Sequence, residues 1–106
     1  MNSRTRRTVT ALKRQLQILY GPRLSRVILF GSHARGDATP HSDIDLLIVL
    51  KGSVLPGEEI SRIGGIVADL SLHTNSVISP LFMDEDRYRD RAGPLLRNIR
   101  REGVPL

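Results

Sequence analysis

Two carboxylates, Asp43 and Asp45, stand two residues apart at the head of the apolar run Leu46-Leu47-Ile48-Val49-Leu50. On a strand, alternate side chains share a face, so both acids lie side by side with Ile44 on the opposite face. Like charges at that spacing repel, and a divalent cation between them removes the conflict. Mg²⁺ suits such a pair, because it takes one or two carboxylates and completes its shell with substrate phosphate oxygens. The plainer arrangement has one aspartate capping a turn and the other paired with Arg35.

Upstream, Gly31-Ser32 closes a second apolar run, Arg26-Val27-Ile28-Leu29-Phe30, and is separated from Asp43 by ten residues. Ala34-Arg35 can continue it as one helical turn whose free N–H groups point back at the strand end, which makes an anion site. Gly31 leaves room for a phosphate to approach the backbone, and Ser32 adds a hydroxyl donor for a terminal phosphate oxygen. Gly-Ser after a strand is by itself a common turn. Followed at this spacing by Asp-x-Asp, it arises by chance on the order of once in a thousand chains of this length. Arg35 either neutralises phosphate or holds the aspartates through a bidentate pair. His33 and His41 flank the loop, where an imidazole can contact phosphate or act as a base, but their place in a polar loop predicts solvent exposure. His73 reads as a residue at a helix C-terminus.

These groups need strands beneath them and helices packed on those strands. Val9, Leu12, Leu16 and Leu19 recur at three- and four-residue steps and predict a helix over 8–20, stopped by Gly21-Pro22. Strands follow over 26–30 and 46–50, the second covered on both faces and hence central. Ile60, Ile63, Val67 and Leu70 mark another buried helical stripe after Pro56, with Glu58 and Glu59 in its first turn complementing the helix dipole. Gly64-Gly65 costs this helix about 1 kcal/mol per glycine unless another backbone packs closely there. A third strand over 77–83 contains Pro80, which places it at an edge or a bulge. A short charged helix from Asp84 to about Arg91 and a last helix around Leu95, Leu96 and Ile99 precede Gly103 and a three-residue tail. The order α-β-β-α-β-α-α predicts an α+β fold, a small mixed sheet with packed helices.

Composition bounds the rest. The 106 residues are 40% hydrophobic, so one compact domain spanning 1–106 is expected and disorder is not. No apolar stretch approaches the ~20 residues of a membrane-spanning helix, and the start MNSRTRRTVT lacks the apolar run of a secretory signal, which predicts a soluble cytoplasmic protein with no membrane partner. The absence of cysteine excludes disulfides, thiolate metal sites and a cysteine nucleophile. Residues 1–36 hold eight Lys/Arg and no acid, whereas the remaining seventy hold eight basic and eleven acidic residues, so the first third is the positive end. Such a field attracts phosphates, nucleic acid or acidic surfaces alike. Nucleic-acid binding by Arg4, Arg6, Arg7, Lys13 and Arg14 predicts steep salt dependence, but Tyr20, Phe30, Phe82 and Tyr88 are the only aromatics and both phenylalanines lie in core strands, which leaves little for base stacking.

Gly31-Ser32, Ala34-Arg35-Gly36 and Asp43-Ile44-Asp45 together closely resemble the signature of the polymerase β-like nucleotidyltransferase superfamily, in particular the minimal nucleotidyltransferases of prokaryotes. The resemblance covers nearly the whole chain, from the leading helix to Asn98-Ile99-Arg100-Arg101-Glu102-Gly103. It implies a nucleoside triphosphate, with ATP favoured, lying with its phosphates on Gly31-Ser32 and near Arg35. It also implies Mg²⁺ held by Asp43 and Asp45, and transfer of the nucleotidyl group to a macromolecular acceptor with release of pyrophosphate. Members often accompany a HEPN-type helical protein in toxin–antitoxin pairs, which makes such a protein, or a second copy of the chain, the expected partner. The family's third carboxylate sits on the strand after the second main helix, where it binds metal and accepts the hydroxyl proton. Counting back from Asp84-Glu85-Asp86 gives Ser79 at that position, and a serine takes neither role. The departure favours a second reading, a nucleotide-binding, antitoxin-like module with weakened catalysis.

Overall fold

The computed structural model describes residues 1–90 and 92–106. Helix α1 runs Ser3–Tyr20, five residues earlier than the apolar spacing predicts, because Asn2 caps it: the Thr5 N–H donates to Asn2 Oδ1 at 2.8 Å. The added residues bury Thr5, which with Thr8 at the predicted start carries a hydroxyl that hides it from a count of apolar residues. The buried stripe continues Val9, Leu12, Leu16 to Tyr20; Leu19, expected in the core, is 42% exposed.

A 3₁₀ turn, Gly21–Arg23, leads into β1 (Leu24–Phe30), and a short helix α2 (Ser32–Arg35) follows it directly. Strand β2 (Ile44–Leu50), helix α3 (Pro56–Thr74) and strand β3 (Ile78–Asp84) then form a parallel crossover, the connection that a helix of this length allows. Helices α4 (Glu85–Asp90) and α5 (Pro94–Glu102) and a two-residue strand β4 (Val104–Pro105) complete the chain. The end expected for the charged helix, near Arg91, lies outside the described residues. The three residues expected as a tail instead supply β4, which pairs antiparallel with β1.

The sheet order is β3-β2-β1-β4, with β1 antiparallel to β2 and β2 parallel to β3. Strand β2 is central and buried at every position except Asp45, and β3 is an edge, where Pro80 is tolerated. Even-numbered residues of β2 face α1 and α3, so Leu46 and Ile48 join Val27, Leu29, Leu12, Leu16, Ile63 and Phe82 in the larger core. Odd-numbered Leu47 and Val49 face the other way and meet Ile28, Leu96 and Ile99 in a smaller one. A mixed four-stranded sheet with helices packed on it is the expected architecture.

On α3 the predicted stripe is displaced. Ile63 is buried and Val67 and Leu70 pack at the core margin, but Ile60 is 47% exposed. Its neighbour Glu59 is buried instead, because Tyr20 donates its hydroxyl to Glu59 Oε1 at 2.8 Å while Arg23 and Arg62 pair with the same carboxylate. Among the described residues no backbone approaches Gly64 or Gly65; a Cβ at either would meet open space, so close packing does not explain them.

Candidate active site

Strand geometry brings the loop's ends together. Antiparallel pairing sets Phe30, the last residue of β1, opposite Asp45, and parallel pairing sets Asp45 opposite Ser79. Gly31 therefore turns the chain directly against Asp45. A Cβ built at Gly31 would lie 2.3 Å from Asp45 Oδ2, and the residue's φ of +75° with ψ of −157° is a conformation essentially confined to glycine. Asp45 and the Gly-Ser turn are in van der Waals contact only because position 31 carries no side chain.

Asp43 immediately precedes β2, and its Oδ2 accepts a 3.0 Å hydrogen bond from Ser79 Oγ. Both aspartates thus converge beside Ser79, on the sheet face that carries α5. Asp43 is exposed and Asp45 half-buried. Burial, then the charge of Asp43, push the Asp45 carboxyl above its ordinary range, while His33 and Arg35 pull the other way. Among the described residues no third His, Cys, Asp or Glu completes a metal-binding group with them. Two neighbouring carboxylates, one of them exposed, form the donor set that Mg²⁺ uses when phosphate oxygens supply the remaining ligands.

Helix α2 is the helical turn expected after Gly31-Ser32. The Ala34 and Arg35 amides both donate to the Gly31 carbonyl at 3.1 Å, and Gly36, in the left-handed region at φ +85°, ends the helix. As the first residues of a helix, Ser32 and His33 have amides without intrahelical acceptors. Ser32 is half-buried, and its hydroxyl has no hydrogen-bond partner among the described residues.

Two expectations change. Arg35 does not pair with the aspartates: its Nε lies 3.2 Å from Asp37 Oδ2 and its Nη1 3.4 Å from Glu102 Oε2, which ties α2 to the end of α5. The alternative in which an aspartate of the pair is neutralised by Arg35 is thereby removed. His33, expected in solvent, is only 9% exposed, with Nδ1 3.3 Å from Thr5 Oγ1 and Nε2 3.2 Å from the Ser42 carbonyl oxygen. The signal for that burial is Thr5, a hydroxyl residue on the covered face of α1. His41 is exposed, as expected, and His73 lies in the last turn of α3, where its Nδ1 meets the Asp69 carbonyl oxygen at 2.8 Å. A cleft of about 640 Å³, lined by His33 and by neither aspartate, opens between the start of α1, residues 38–42 and residues 75–77.

Comparison with known proteins bears on this arrangement at three levels. "Putative protein adenylyltransferase MJ0604" of Methanocaldococcus jannaschii is 35% identical over 99 residues, covering 92% of this chain and 89% of that protein. A crystal structure of a toxin–antitoxin with AMP-PNP superposes with a TM-score of 0.62 at 19% identity, over 88% of this chain and 68% of that one. A tri-AMPylated Shewanella oneidensis HEPN toxin in complex with MNT antitoxin provides another match, at TM-score 0.55 and 16% identity, over 96% of this chain and 67% of that one. The two structural likenesses concern the fold. The Nucleotidyltransferase domain family matches residues 7–92, a span that starts within α1 and takes in the Gly-Ser turn, both aspartates and Ser79. With most of its length matched in this way, and a relative above 30% identity along nearly all of it, the chain belongs to the nucleotidyltransferase domain family.

Proposed function

We propose that this chain transfers a nucleotidyl group, AMP from ATP, to a hydroxyl of a protein acceptor, with residues 1–106 acting as one domain in the cytoplasm. The observation that carries the reading is the contact between Gly31 and Asp45, which supports it by setting the Gly-Ser turn, read as the phosphate site, against the carboxylate pair read as the cation site. Asp43 and Asp45 would hold Mg²⁺. When bound, the ion polarises the α-phosphate and stabilises the entering and leaving oxygens of an in-line displacement. Gly31 gives the triphosphate access to the backbone, and the Ser32 hydroxyl and the leading amides of α2 donate to its oxygens. Arg35, held by Asp37 and Glu102, fixes the far end of that turn and contributes positive charge close to the phosphates.

A protein acceptor is favoured by the name of the archaeal relative, a protein adenylyltransferase, and by the AMPylated state of the HEPN toxin bound to its MNT antitoxin in the Shewanella complex. A HEPN-type protein is accordingly the partner we propose. Ser79 supports a second reading. It occupies the β3 position beside both aspartates, where its hydroxyl donates to Asp43 and offers no carboxylate to a metal or to the acceptor's proton. In that reading the chain binds nucleotide and its partner but transfers slowly.

Incubation with ATP labelled at the α-phosphate, Mg²⁺ and the product of the neighbouring gene tests both. Label on the acceptor that disappears in Asp43→Ala and Asp45→Ala supports transfer. No label with the natural sequence, but label after Ser79→Asp, supports the binding module.

A further inference from the structure

One buried side chain next to the site is not used by the proposed reaction. His33, the second residue of α2, is enclosed by the first turn of α1 on one side and by the loop that leads to Asp43 on the other. A carbonyl oxygen only accepts, so the Nε2 facing Ser42 carries the proton, and in the neutral ring Nδ1 accepts from the Thr5 hydroxyl. Thr5 is itself 3% exposed and is held by the Asn2 cap. From the other side the Ser42 amide donates to the Thr39 carbonyl at 3.0 Å, and Ser42 Oγ accepts from the Thr39 amide at 2.9 Å.

The partner atom on Ser42 decides what this brace does. The Ser42 carbonyl belongs to the same rigid peptide plane as the nitrogen and Cα of Asp43. Holding that oxygen fixes the orientation from which the Asp43 side chain departs, while the Ile44 amide, bonded to the Val77 carbonyl at 2.8 Å, fixes the next plane. The two planes on either side of Asp43 are thus pinned, one by His33 and one by the sheet. The geometry points to His33 as a positioning residue for the metal site, one that sets the direction of the Asp43 carboxylate through the Ser42 peptide. The inference rests on the proposed metal role of Asp43. A histidine that merely filled space would not need a donor aimed at that carbonyl.

The test compares four variants of the 106-residue chain. His33→Phe keeps a ring in the space and removes both hydrogen bonds, Thr5→Val removes one, and His33→Gln retains a donor and an acceptor. Val9→Ala loosens the core under α1, leaves both hydrogen-bond partners of His33 in the chain and serves as the stability control. Magnesium-dependent uptake of AMP-PNP is followed by calorimetry, and hydrogen exchange of residues 42–44 is followed in metal-free protein. The expected result is a loss of about tenfold in magnesium-dependent affinity for His33→Phe, as is usual when a group that orients a ligand is removed. Thr5→Val should lose less, His33→Gln should recover most of the affinity, and exchange at 42–44 should accelerate in His33→Phe alone among the His33 and Val9 variants. Val9→Ala should melt lower yet bind as the natural protein does. The inference is overturned if His33→Phe changes uptake and exchange no more than Val9→Ala. Should the natural protein take up no magnesium nucleotide, the proposed function fails, and the exchange experiment still decides: acceleration in His33→Phe supports the brace, and its absence rejects it.

Discussion

A methyl group at position 31 has nowhere to go: the Asp45 carboxylate occupies its place, and the backbone there is one that L-residues avoid. Gly31→Ala is expected to lower the unfolding free energy by about 1–3 kcal/mol from backbone strain, with the Asp45 side chain driven from its position. Urea denaturation measures the first effect, and loss of nucleotidyl transfer beyond what the stability change explains measures the second. Asp45 gives a prediction of the opposite sign. Its carboxyl is raised by burial and then by Asp43, so the folded protein holds that proton more tightly than the unfolded chain. Stability therefore falls as pH rises from the unfolded pKa through the folded one, and stays lower above both. Asp45→Asn removes this penalty: without metal at pH 7 the variant should melt above the natural protein, and the gap should close as acid protonates the Asp45 carboxyl in the folded and unfolded states alike. Added Mg²⁺ should raise the melting temperature of the natural protein and leave the variant unmoved. The positions of Asp43 and Asp45 were legible because strand periodicity is rigid and the two had to share a face, whereas Ser79 was found only by counting to the place of the family's third carboxylate. The partners of Arg35 were not legible. A long side chain can reach in many directions, and its second anchor, Glu102, is 67 residues away in sequence.

The helices show where periodicity stops being informative. Apolar spacing located α1 and α3, since three- and four-residue steps are difficult to satisfy otherwise, but it misassigned Leu19 and Ile60 to the core. In both cases a polar-tipped neighbour takes the inward position. Tyr20 and Glu59 turn in together, and each supplies what the other needs to be buried: a donor for the carboxylate and an acceptor for the hydroxyl. Neither residue alone carries that information in a linear reading. The pair joins the end of α1 to the first turn of α3, and Arg23 extends it by donating to the Lys51 and Ser53 carbonyls in the β2–α3 turn. Burial, reinforced by Glu59, pushes the Tyr20 hydroxyl far above its ordinary pKa, so the tyrosine stays a donor across the working pH range. Tyr20→Phe leaves a buried carboxylate one donor short and should cost about 1–3 kcal/mol, read as a lower urea midpoint with an unchanged denaturant slope. Adding Glu59→Gln should deepen that loss, because the carboxylate still pairs with Arg23 and Arg62 and an amide gives both pairs up.

At the scale of the molecule the same sheet serves two purposes. One face is sealed by α1 and α3 over the larger core, and the other is covered by α5 only in part, which leaves the Asp43–Asp45 end of β2 open beside Ser79. Alternation along β2 made that division readable: Ile44, Leu46 and Ile48 had to face opposite to Asp45, Leu47 and Val49. The chain's last strand was not readable, because Val104 and Pro105 have neither length nor pattern, and their pairing depends on where α5 delivers them. The delivery is tight. A Cβ at Gly103 would come within 2.3 Å of the Ile99 carbonyl oxygen and 2.7 Å of Ile28 Cγ2, so the chain can leave α5 and reach β1 only through a glycine. Beyond it the Leu106 amide donates to the Val27 carbonyl at 2.9 Å, and Val104 and Leu106 pack on the larger core. Removing residues 104–106 should therefore cost about 2–3 kcal/mol from two half-buried aliphatic side chains. It should also leave β1, the strand that ends at Gly31, with an uncovered edge able to pair with another copy. A lower denaturation midpoint together with concentration-dependent light scattering is the expected result. An unchanged midpoint would mean that β4 contributes nothing to closing the sheet, and that the strand carrying the Gly-Ser turn is held by β2 alone.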